Sequence, residues 1–96
     1  MIPQVGNIYT YSEKFLPILY PDRMSAAEVG IMGATSTGFS REIAYWSRVI
    51  GKPVGVCNRE APFLVLSVEG NYLEVLSGVM RGWIINEKWL ELEEAR

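Results

Sequence analysis

The side chains able to do chemistry in this 96-residue chain are few and scattered. Cys57 stands two residues before Arg59, whose charge would favour a reactive thiolate. The chain contains no histidine, so the usual general base for a Cys or Ser nucleophile is missing, as is the commonest metal ligand. Ser36, Thr37 and Gly38 precede Ser40 and Arg41, a layout that could present helix amides to an anion, but no phosphate-loop lysine follows at the required spacing. Glu91, Glu93 and Glu94 cluster near the C-terminus and read as a solvated acidic tail. Glu69 and Glu74 flank a hairpin and read as exposed. Asp22 is the only aspartate, so no carboxylate dyad is marked by spacing. These residues imply no enzyme, no cofactor and no metal site. A hydrolase or transferase using Cys57 or a serine ranks last among the readings.

The aromatic residues offer a different chemistry. Tyr9, Tyr11, Tyr72, Trp83 and Trp89 could line a groove for an extended peptide, or they could fill a small core. Tyr72 is the one whose place in the strand pattern puts it on a polar face. Tyr9, Tyr11, Tyr72 and Trp83 are therefore the expected partner-binding residues.

The composition bounds the body that carries them. Apolar residues make up 49% of the chain, enough for one core and one domain spanning residues 1–96. No apolar run is long enough to cross a bilayer, and residues 1–6 show no secretory signal. A single cysteine excludes an intrachain disulfide and fits a cytoplasmic protein or a virion component. The net charge is −2. Residues 1–60 hold six basic and five acidic side chains, and residues 61–96 hold three and six. That balance argues against nucleic acid as the main partner, although Arg41, Arg48, Lys52 and Arg59 could form a local patch.

The elements that must position these residues read as mostly β with a helical insertion. Val5 to Tyr11 forms a first strand, with a turn or bulge at Gly6-Asn7. Pro17 and Pro21 bracket a rigid, extended or turning segment. Ser25 and Glu28 match a capping box, which starts a short helix running to about Met32. Ser40 to Ile50 reads as a second helix, with Gly51 and Pro53 as stop signals and Ile43, Trp46 and Ile50 on one stripe. Alternation of Phe39, Ile43, Tyr45 and Val49 leaves a strand as the rival. Val54 to Cys57 is a short strand, and Asn58 to Glu60 a polar turn.

Phe63 to Glu69 and Tyr72 to Ser77 are the clearest strands. A two-residue turn at Gly70-Asn71 pairs Val68 with Leu73 and Leu66 with Val75. Leu64 then joins those four on one face, while Glu69, Tyr72, Ser67 and Glu74 fall on the other. A loop leads to a strand at Trp83 to Ile85. A turn over Asn86 to Trp89 then precedes a last strand at Leu90 to Leu92.

Gly70-Asn71-Tyr72, Val75, Gly82-Trp83-Ile84 and Trp89-Leu90 resemble the second half of bacterial Src-homology-3-like domains. The resemblance covers about a third of the chain and implies a small antiparallel barrel; residues 17–53, with one or two short helices from residues 25–50, depart from the minimal barrel and form an insertion in its first long loop or a separate layer packed on it. An Sm-like barrel is the sister possibility on topology. Such barrels host whatever their loops bind. The expected function is thus a non-enzymatic interaction or assembly module. The alternatives are a self-associating structural subunit, as in a virus or phage, and, behind it, a nucleic-acid-binding barrel.

Overall fold

Three consecutive antiparallel strands form the frame on which every other element is placed. In a computed structural model, residues 3–11, 18–31, 40–56, 62–85 and 92–94 are described. In chain order they form β1 (Ile8–Tyr11), β2 (Ile18–Leu19), α1 (Arg23–Ile31), α2 (Ser40–Ile50), β3 (Gly55–Val56), β4 (Phe63–Glu69), β5 (Tyr72–Ser77), β6 (Met80–Ile85) and β7 (Leu92–Glu94). The fold is α+β and mostly β. One sheet has the order β6-β5-β4-β1-β7, and β2 with β3 makes a second, two-stranded one.

The hairpin at Gly70-Asn71 forms with Glu69 opposite Tyr72, Val68 opposite Leu73 and Ser67 opposite Glu74, as its sequence predicts. Gly70 has φ +60° and Asn71 does not have positive φ, the pattern of a type II′ turn. Beyond Ser67 the expected register fails. A bulge between Val65 and Ser67 brings Val65, not Leu66, opposite Val75, and the ladder continues with Leu64 opposite Leu76 and Phe63 opposite Ser77. One extra residue reverses the alternation. The fully buried side chains of β4 are therefore Phe63 and Val65, while Leu64 and Leu66 are only half-buried. The expected loop between β5 and β6 is instead a second two-residue turn, Gly78-Val79, with Gly78 at φ +62°.

The sheet is not closed, contrary to the barrel expected from sequence. The outer edge of β6 is engaged elsewhere. The Tyr20 amide donates to the Trp83 carbonyl and the Trp83 amide to the Tyr20 carbonyl, both at 2.8 Å. The segment between the two prolines is thus extended and pairs twice, with β3 through Ile18 and Leu19 and with β6 through Tyr20. Gly82 permits this approach, since a Cβ there would sit 3.0 Å from the Tyr20 carbonyl oxygen and 3.1 Å from Leu19 Cδ2. The last described strand is Leu92–Glu94, which meets the expected Leu90 to Leu92 at Leu92, Leu90 and Glu91 lying outside the described residues; Glu93 and Glu94 thus belong by backbone to a strand paired with β1 instead of a free tail.

Side chains divide between two cores. Tyr9, Leu19, Phe63, Val65, Leu73, Val75 and Ile84 pack on one face of the sheet. Ile18, Tyr20, Ala26, Val29, Trp46 and Ile85 pack on the other, where the helices lie. Strand alternation in β2 sends Leu19 to the first and Ile18 to the second.

The second helix runs from Ser40 to Ile50 as expected, and Gly51 follows at φ +72°. The first begins earlier than the capping box suggests. Asp22 is its cap: the Ser25 amide donates to Asp22 Oδ1 at 2.7 Å and the Ala26 amide to the Asp22 carbonyl at 3.2 Å.

Candidate interaction surface

Of the four aromatic residues expected to bind a partner, Tyr9 is buried in one core, while Tyr72 and Trp83 are half-buried against the other. Tyr9 is 2% exposed and belongs to the first core. Its hydroxyl accepts from the Gln4 amide at 2.9 Å and lies 3.4 Å from Asn7 Nδ2, and its ring tilts against Phe63 with centroids 6.4 Å apart. Tyr72 does lie on the face opposite Leu73, as its position in the hairpin predicts, but it is half-buried because α1 covers that face. Its hydroxyl is 3.2 Å from where a Cβ on Gly30 would stand, so the missing side chain at Gly30 makes room for the ring. Trp83 is half-buried on the same side, opposite Glu74 in the ladder. The backbone of Tyr11 ends β1, and its side chain lies outside the described set, as does Trp89.

The chemical candidates fare similarly. Cys57, Arg59, Ser36, Thr37, Gly38 and Glu91 lie outside the described residues. Glu69 and Glu74 are ion-paired, with Arg23 Nε 2.6 Å from Glu69 Oε2 and Arg81 Nη2 3.0 Å from Glu74 Oε2. Among the described residues no group of three or more Cys, Asp or Glu could hold a metal ion. No described helix is long and apolar enough to cross a membrane. Arg41 and Arg48 are exposed on α2, while Lys52 is engaged by Asp22 at 2.8 Å.

Among the described residues Asp22 is the one carboxyl with a marked shift. The ammonium of Lys52, followed by the Ser25 amide, holds it down to about 2 from its ordinary 3.8. Both side chains of the pair are part-exposed, so this is a surface contact screened by solvent. Its work is structural: it ties the start of α1 to the end of α2.

The surface that sequence reading missed is the outward side of α1. The helix buries Ser25, Ala26 and Val29 against the sheet and leaves Met24 76% and Ile31 86% exposed. Arg23, Met24, Ala27, Glu28 and Ile31 enclose a shallow depression of about 400 Å³. The signal was available in the spacing of Met24, Ala27 and Ile31, three and four residues apart. Starting the helix at Ser25 concealed it, because Met24 then fell outside.

A second depression of about 330 Å³ lies where β2, β3 and β6 meet, lined by Leu19, Pro21, Pro53, Val54 and Met80 among others. On α2, Tyr45 and Val49 are exposed, with the Tyr45 ring edge-on to Trp46 at 4.9 Å. No protein-family model matches the chain, and no curated protein or solved structure matches it at a significant level.

Proposed function

We propose that the protein is a non-enzymatic interaction and assembly module on a small Src-homology-3-like frame, with α1 rather than the aromatic residues as its contact surface. The order β7-β1-β4-β5-β6 supports the frame, since the last strand returns beside the first and a three-strand meander completes the sheet. The two helices and the β2–β3 pair lie in the chain between β1 and β4, consistent with an insertion in the first long loop of such a frame.

One observation carries the reading. The largest apolar side chains of α1 point away from the core while its small ones point into it. A helix apolar on both sides is ordinarily covered on both, and grouped apolar exposure on a small protein marks an interaction site.

The test is selection of peptides, helical and extended, against the folded protein. Binders enriched on the native chain should lose about tenfold or more in affinity toward Met24→Ser and Ile31→Ser, about 1.4 kcal/mol. The melting temperature of both variants should stay near native. Binders indifferent to both substitutions would remove α1 from the function.

A further inference from the structure

The outward face of α1 carries a single heptad with the spacing of a coiled-coil seam. Met24 and Ile31 fall seven residues apart at one apolar position and Ala27 at the other, with Arg23 flanking on one side and Glu28 on the other. Ser25, Ala26 and Val29 occupy the positions that turn away from such a seam, and these are the ones buried on the sheet. We infer that a second copy of this chain docks here, the two α1 helices lying parallel about a two-fold axis along the seam. The inference rests on the assembly reading above and names its partner.

Charge decides between the ways two copies could meet. In a parallel pair, Arg23 of each copy faces Glu28 of the other, five residues on, so two opposite-charge contacts form. In an antiparallel pair each flank meets itself, and Glu28 would face Glu28 near the axis, a like-charge contact. Arg23 already reaches Glu69 through Nε. A guanidinium carries five N–H donors in a planar fork, so holding one carboxylate does not exhaust it. One nine-residue helix offers less than the roughly 800 Å² per partner of a standard interface, so the pairing is weak and concentration-dependent.

Sedimentation from micromolar to millimolar protein tests this. The native mass should rise toward that of a dimer. Arg23→Glu alone and Glu28→Arg alone should each associate about tenfold or more weakly, with circular dichroism checking that each is folded. An equimolar mixture of the two variants should recover association, because each new acid then faces a new base. A native chain that stays monomeric at millimolar concentration overturns the inference, as does a mixture no better than its components. If monomers persist while selected peptides still depend on Met24 and Ile31, the second copy is wrong as occupant and the interaction surface stands. If those peptides are also indifferent, the surface itself falls.

Discussion

The meander and the first helix hold their places by different means. On the inner face of β4, β5 and β6, strand alternation and the Val65–Ser67 bulge bring Phe63, Val65, Leu73, Val75 and Ile84 together, none more than 1% exposed. Those are large side chains excluded from water, and their burial is the main favourable term in folding. Helix α1 buries one serine, one alanine and one valine. It is held by the Asp22 cap, by ion pairs reaching Glu69 from Arg23 and Lys52 from Asp22, and by the fit of Tyr72 beneath Gly30. The sheet thus supplies stability, while the helix is a light layer whose bulk faces outward.

The sharpest break of that contrast is a pair of substitutions read by urea unfolding. Phe63→Ala should cost about 3–5 kcal/mol, by lost transfer energy and the cavity left behind. Against a total of about 5–15 kcal/mol for a domain, that is a large share. Met24→Ser should change stability by no more than about 0.5 kcal/mol, as at other exposed sites. Comparable losses at the two positions would mean that α1 is as much a part of the core as β4. Should Phe63→Ala not fold, Phe63→Leu gives the same ranking with a smaller step.

What could be read from the sequence was local. The Gly70-Asn71 corner, the span of α2 from Ser40 to Ile50 and the left-handed Gly51 each follow from neighbours in the chain. The bulge did not, because nothing in Leu64-Val65-Leu66 distinguishes whether the middle aliphatic or its two neighbours face inward; Phe63 and the partner strand decide it. Nor could the pairing of Ile18 to Tyr20 with both β3 and β6 be read, since it depends on contacts more than thirty residues away that Gly82 makes possible. The half-burial of Tyr72 was hidden for a related reason. Period-two alternation assigns Tyr72 to a face, but which element covers that face is a long-range fact. The start of α1 was misplaced by three residues because Asp22 and Ser25 are both good caps, and the contact with Lys52 favours Asp22.

Acid sharpens the contrast at an intermediate scale. The Asp22 carboxyl has a folded pKa of about 2, below its unfolded value of 3.8, so its charge stabilises the fold fully above about pH 4. That contribution is lost as pH falls toward 2. Asp22→Ala should cost about 1 kcal/mol at neutral pH by removing the cap. Asp22→Asn keeps a capping oxygen but not the charge, so it should lie closer to the native chain. Thermal melts of the native chain and Asp22→Asn should differ at pH 7 and converge between pH 4 and 2, with the gap reduced by salt. A gap that persists at pH 2 would assign the effect to something other than ionisation.

The smallest effect tests how closely the helix rests on the sheet. Alanine is favoured over glycine within a helix by about 1 kcal/mol, and Gly30 lies within α1. A new Cβ there would stand 3.2 Å from the Tyr72 hydroxyl and 3.4 Å from its Cε1. The first distance is too short for comfort and the second is ordinary contact, so the hydroxyl is the obstacle. Gly30→Ala alone should therefore be close to neutral, the helical gain offset by displacement of the ring. In a Tyr72→Phe background the oxygen is gone, and the same change should stabilise by up to about 1 kcal/mol. The two substitutions are in contact and should be non-additive, which a double-mutant cycle measures directly. If Gly30→Ala gains its full helical benefit with Tyr72 intact, the ring is not seated beneath the helix, and the face expected from the hairpin to meet solvent is open after all.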